Sequence, residues 1–239
     1  MSRIYAAERR RDHRPVAIKV FQAPRGQELR YRDYMLHEAN ALRVGAGAFV
    51  VELLDHGVCM EQPFLVLEWI PGRNLGQTIA AGAPLALARV ASIFRRILDA
   101  IEALHARGVI HADLKPANVM LSPHHGGERV RLVDLGASSV HGAGVARRDE
   151  VFGTPGYLAP EIAAGGSLAA SSDVYSAGVL LFEMLTGTPP FSGATLEDLV
   201  AQQRRPRTPR PSRFRPFAVR SVSEAFDALL ATALASSPA

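Results

Sequence analysis

His111-Ala112-Asp113-Leu114-Lys115-Pro116-Ala117-Asn118 decides the reading of this chain. It sets an acid, a lysine and an amide at fixed offsets on one short loop. Phosphoryl transfer uses those groups in that arrangement. The Asp113 carboxylate can accept the proton of an attacking hydroxyl, and Lys115 can neutralise charge on the phosphate in flight. Asn118 can hold a metal ion against the phosphate oxygens. Alone, such a string is only suggestive, because any loop can carry polar residues that satisfy its own backbone.

Two further stretches narrow the choice. Upstream, Val16-Ala17-Ile18-Lys19 reads as a strand whose lysine points inward. A buried ammonium needs a counter-charge, and the helix expected from Gln27 to Val44 offers Glu38. Downstream, the apolar strand Val130 to Val133 runs into Asp134-Leu135-Gly136. That places a metal-binding carboxylate at a strand end, with a glycine free to turn the chain away. Gly153-Thr154-Pro155-Gly156-Tyr157 and Ala159-Pro160-Glu161 follow.

With these motifs in order over nearly the whole length, the chain resembles a eukaryotic-type (bacterial serine/threonine) protein kinase domain. The resemblance implies an α+β, two-lobed fold. A small antiparallel β-lobe with one helix would cover residues 1–70, and a larger, mainly helical lobe 71–239. It implies that Lys19 holds the α- and β-phosphates of ATP while Glu38 orients it. Asp113 would be the catalytic base, Lys115 its electrostatic companion, and Asn118 and Asp134 the magnesium ligands. Lysine at 115 fits a Ser/Thr acceptor. Around adenine, the resemblance places Ile4 and Ala17 above the ring, Met120 below it and Leu67 at the gatekeeper position. The Glu68 carbonyl and Ile70 amide would meet the adenine edge. Thr154 would touch the catalytic loop from the segment that docks protein substrates, and Asp173 would accept backbone hydrogen bonds from that loop.

Several positions depart from the pattern. The glycine-rich phosphate loop is missing; Met1-Ser2-Arg3-Ile4-Tyr5 resembles only its tail, so the first strand and first two glycines would lie before Met1. The last helix of the family is also expected to be missing, and with it the arginine that pairs with Glu161. Ala112 replaces the arginine that clamps a phosphorylated activation loop in many relatives. In agreement, Val140 to Gly153 contains no Ser, Thr or Tyr. Ala117 replaces a glutamate that reads a basic residue before the phosphosite, so a strong arginine-directed preference is not expected.

Composition sets the remaining bounds. The 239 residues suffice for one domain with two lobes. A single cysteine, Cys59, forms no internal disulfide and suits a reducing compartment. No apolar run approaches the roughly 18–20 residues of a membrane span, and the first residues lack a signal-peptide core. The expected setting is therefore soluble and cytoplasmic. The net charge of +4 is local: Arg204 to Arg220 holds seven arginines and no acid, and without them the balance is −3. That Pro-rich stretch reads as a solvated loop or as a docking surface for an acidic partner. Nucleic acid is disfavoured, since no recognition helix or aromatic platform accompanies the arginines.

Hydrophobic patterning predicts strands over 3–8 and 15–22, a helix over 27–44, and an antiparallel pair Val50 to Met60 with Pro63 to Trp69. After a break at Pro71-Gly72, helices are expected over Pro84 to Arg107, Ser171 to Thr186, Thr195 to Gln203 and Val222 to Ala235. Two short strand pairs should flank the catalytic loop, one turning at Pro123 to Glu128. Two alternatives compete with a protein kinase. One is an inactive pseudokinase serving as a binding scaffold. The other is a small-molecule kinase of related fold, disfavoured by Gly153 to Glu161.

Overall fold

Ser2–Arg9 (β1) and Arg14–Phe21 (β2) form a hairpin whose turn carries an Arg9–Asp12 ion pair. The computed structural model describes residues 2–140, 154–193, 195–205, 208–214 and 220–235. β2 pairs next with Gln62–Glu68 (β4), and Leu53–Cys59 (β3) completes an antiparallel sheet of order β1-β2-β4-β3. Opposed residues of such a ladder share a face. The register Ile4↔Lys19, Ala17↔Leu67 and Lys19↔Leu65 therefore sets these five side chains on one side of the sheet. Glu28–Val44 (α1) covers that side and buries Met35, Glu38, Ala39 and Leu42.

Gly72 ends this half of the molecule. It sits at φ +136°, and a Cβ there would lie 2.0 Å from the Leu121 carbonyl oxygen, so only glycine fits. Arg73–Asn74 (β5) then pairs with Val119–His124 (β7), which pairs with Gly127–Leu132 (β8). Val109–Ile110 (β6) pairs with Ser139–Val140 (β9). The helices are Leu75–Gly82 (α2), Leu87–His105 (α3), Pro160–Ala163 (α4), Ala170–Thr186 (α5), Leu196–Gln203 (α6), Pro211–Phe214 (α7) and Arg220–Ala233 (α8).

The helical half is organised by α5. Its Tyr175, Val179, Leu180, Leu181, Phe182, Met184 and Leu185 are all buried, and a helix apolar all round belongs in a core. Against it lies α3, whose Val90, Ile93, Ile97, Ile101 and Leu104 recur at three- and four-residue steps. A side chain of this size contributes about 1.5–3 kcal/mol when fully buried, so this pair of helices is a rigid base. The β-rich half is tied to it by backbone bonds from Val51 N to Leu132 O (3.0 Å) and from Leu132 N to Phe49 O (2.7 Å).

Those bonds correct the expected strand from Val50 to Met60. Val50 and Val51 are buried at about the level of core residues, but they dock on β8, and the strand begins only at Leu53. The helix expected from Pro84 begins at Leu87, because buried Leu85 spends its N–H on Met184 O of α5 (3.1 Å). The turn expected at Pro123 to Glu128 narrows to His125-Gly126, since both strands continue into it. Helix α2 was not expected at all. Its sequence signal is a capping box: the Asn74 side chain accepts from Gln77 N (2.8 Å), and the Gln77 side chain accepts from Asn74 N (3.0 Å). Gly76, Gly82 and Pro84 obscure it.

Candidate active site

Lys19 is 5% exposed and Glu38 1%. Lys19 Nζ donates to both Glu38 carboxylate oxygens at 2.7 Å and to Asp134 Oδ1 at 2.8 Å. Burial alone would lower the lysine's pKa, but the two carboxylates outweigh it and hold the ammonium above its ordinary range. Burial likewise pushes Asp134 up, and the Lys19 charge and hydrogen bond overcome it, leaving Asp134 below the usual carboxylate value. A raised lysine loses its contribution only as pH climbs through its folded pKa. A depressed carboxylate loses its contribution only as pH falls through its own. Lys19 and Asp134 therefore stay charged across the neutral range.

Gly136 makes that cluster compact. A Cβ there would lie 3.1 Å from Glu38 Oε2 and 3.2 Å from Asp134 Oδ1. Asp134 adopts a left-handed φ of 64°, uncommon for a residue with a side chain. Gly136 N bonds back to Asp134 Oδ1 at 3.3 Å, and the Asp134 side chain keeps 42% of its surface open.

The loop His111 to Asn118 delivers the second group of charges. Lys115 Nζ donates to Asp113 Oδ2 (2.6 Å) and to Thr154 Oγ1 (2.8 Å), while Thr154 Oγ1 donates to Asp113 Oδ1 (2.9 Å). Asn118 Nδ2 donates to the Asp113 carbonyl (2.8 Å) and to Oδ2 (3.2 Å). Its amide oxygen is thereby left as an acceptor. Asp134 and Asn118 together offer oxygen donors, which is the set that magnesium prefers alongside phosphate oxygens and water. No cluster of three or more His, Cys, Asp or Glu able to hold a metal occurs among the described residues.

Beneath the loop, Asp173 of α5 is fully buried. It accepts from His111 N and Ala112 N, each at 2.9 Å, and from His105 Nε2 at 2.8 Å. These bonds hold Ala112 at a left-handed φ of 65°, which on its own costs an alanine roughly 1–2 kcal/mol. Asp173 lies inside α5 rather than capping it, so its carboxylate serves the loop.

The residues expected around adenine come from β1, β2, β4, the segment after β4, and β7. Leu67 is buried opposite Ala17, and Met120 on β7 is half-buried. Ile70 packs half-buried against the core, and Ile4 is 68% exposed on the outer strand. The Glu68 carboxylate accepts from Glu52 N (3.0 Å) and pairs with Arg131 (3.0 Å).

Other contacts lay beyond sequence reasoning. His37 on α1 reaches the Ser138 carbonyl (2.7 Å), and the Tyr157 hydroxyl donates to Glu183 on α5 (2.6 Å). Burial followed by this bond raises Tyr157, and burial also raises Glu183. Glu161 accepts a long bond from Ser172 Oγ (3.4 Å). Met1, the stretch 141–153, and residues 206–207 and 215–219 of the arginine-rich stretch lie outside the described residues.

A protein kinase domain family model matches residues 1–239, and the chain belongs to that family. It is 32% identical over 240 residues to the serine/threonine-protein kinase PknD of Mycobacterium tuberculosis, an alignment spanning 100% of this chain and 35% of PknD. It is 34% identical over 227 residues to PknL of Mycobacterium bovis, covering 95% of this chain and 55% of PknL. With PkaA of Streptomyces coelicolor it shares 37% identity over 199 residues, 81% of this chain and 37% of that protein. The chain thus spans about a third to a half of the length of these relatives. No helix among the described residues is long and apolar enough to cross a membrane.

Proposed function

We propose that this chain transfers the γ-phosphate of Mg-ATP to Ser and Thr hydroxyls of protein substrates. One observation carries the reading: Asp113, Lys115 and Thr154 form a closed triangle of hydrogen bonds at 2.6–2.9 Å. In this reading Asp113 takes the proton of the acceptor hydroxyl, and Lys115 beside it stabilises charge on the phosphoryl group. Lys19, oriented by Glu38, holds the α- and β-phosphates. Asn118 and Asp134 would hold magnesium, which neutralises charge on the phosphate oxygens. Ala17, Leu67, Met120 and Ile4 would enclose adenine, with the Glu68 carbonyl and Ile70 amide at its edge. Residues 1–70 and 71–239 would form the two lobes, and the single cysteine suits a reducing compartment such as the cytoplasm. The scaffold alternative has no observation in its favour. Incubation with labelled ATP and casein, run beside kanamycin and choline, tests the acceptor class. Label confined to a small molecule would refute the reading.

Activity is expected to be independent of phosphorylation after Asp134-Leu135-Gly136. Val140 to Gly153 has no hydroxyl side chain. Ser138 is fully buried, its hydroxyl donating to Leu135 O (2.6 Å), and Ser139 lies in the β6–β9 pair. Phosphatase treatment should leave the rate unchanged; a large loss traced to Ser138 or Ser139 would contradict this.

An acidic partner at Arg204–Arg220 belongs to the same reading. Arg204, Arg205, Arg210 and Arg213 are exposed, and none is ion-paired among the described residues. Arg204→Glu with Arg205→Glu should weaken phosphorylation of acid-rich substrates several-fold and flatten its salt dependence. Equal salt dependence in parent and variant would exclude such a surface.

A further inference from the structure

We infer that Gln203 is a positioning residue for the protein acceptor: its buried amide fixes the backbone of Thr154–Glu161 at Leu158. The inference rests on reading that segment as the acceptor-docking strip. Gln203 is the last residue of α6 and is 5% exposed, and its Nε2 donates to Leu158 O at 2.8 Å. Thr154, four residues before Leu158, touches both Asp113 and Lys115. A shift of the Leu158 backbone therefore moves the strip that must present a hydroxyl to Asp113.

The strip is held from two directions. From α5, Ser176 Oγ donates to Tyr157 O (2.8 Å) and Glu183 accepts from the Tyr157 hydroxyl (2.6 Å). From α6, Gln203 supplies the bond to the next carbonyl along. Among the described residues, no α5 side chain bonds to Leu158 O.

Stability does not account for a glutamine here. Its Oε1 is buried with no hydrogen bond of normal geometry, beside a buried Tyr175 hydroxyl that interacts with the same side chain. Burying a polar atom unpaired is costly, so an apolar residue of equal size would serve packing as well. What the glutamine adds is the N–H aimed at Leu158. Replacing it with methionine removes a poorly paired buried oxygen, the polar neighbour of Tyr175 and one partner of Leu158 O, effects of opposite sign on stability. The positioning role and a merely structural role thus predict different results.

Gln203→Met and Gln203→Glu in the full chain test this. Initial rates are measured against casein at saturating Mg-ATP, and against ATP at fixed casein. Both variants should raise KM for casein about five- to tenfold, the equivalent of one hydrogen bond. KM for ATP, and kcat at saturating casein, should stay within about twofold. Gln203→Met should keep Tm within about 3 °C of the parent, while backbone amides of residues 155–163 exchange faster in both variants. An unchanged KM for casein overturns the inference. So does a rise accompanied by equal losses in ATP affinity and Tm, which is the signature of general destabilisation. If the parent labels no protein, the kinase reading falls by itself. The exchange comparison then still decides Gln203, and unchanged exchange overturns it.

Discussion

Asp113→Asn is expected to lower phosphoryl transfer by about 10²–10⁴-fold, the range for loss of a positioned general base. Affinity for an ATP analogue should change little. The asparagine keeps the shape of the side chain: its one amide oxygen can still accept from Lys115, now 2.6 Å from Asp113 Oδ2, while the NH2 that replaces Oδ1 donates to Thr154 Oγ1 instead of accepting from it. What it cannot do is take a proton from an acceptor hydroxyl. Turnover and analogue binding measured on one preparation separate the two effects. Turnover within tenfold of the parent would remove Asp113 from its assigned role.

Lys19→Met is expected to abolish transfer and also to destabilise the fold. With Lys19 gone, Glu38 remains as a carboxylate that is 1% exposed and has lost both short hydrogen bonds from the lysine ammonium. Breaking one side of a buried pair costs about 3–5 kcal/mol, whereas replacing both sides by apolar groups is far milder. Lys19→Met with Glu38→Met should therefore recover most of the lost stability in urea titrations while staying inactive. That pattern distinguishes a catalytic lysine from one kept only to neutralise Glu38. Recovery of activity along with stability would contradict the assignment, as would a single variant as stable as the parent.

Much of this site could be read from local sequence because its groups sit at short, fixed offsets. Asp113, Lys115 and Asn118 share one loop, and Asp134 and Gly136 share one turn. Lys19 was legible as an inward-facing lysine on a strand, and Glu38 as a carboxylate on the next helix. The contacts that escaped join elements distant in sequence. Asp173 with His105, Tyr157 with Glu183, and Gln203 with Leu158 bridge separations of 68, 26 and 45 residues. No periodicity encodes such partners; they follow from how α3, α5 and α6 pack. Val50 and Val51 show the same limit, since two β-branched residues look like strand whether they join β4 or dock on β8. Helix α2 is different: its Asn74–Gln77 box is a local signal, and flanking Gly76, Gly82 and Pro84 mask it.

The account stands or falls on where the phosphate goes. The parent and Asp113→Asn, each incubated with magnesium and γ-labelled ATP in the presence of casein, would be compared by phosphoamino-acid analysis of the labelled protein. Labelled phosphoserine and phosphothreonine from the parent, with almost none from the variant, is the predicted result. Equal labelling by the two proteins, or none from the parent while both bind ATP, would contradict it.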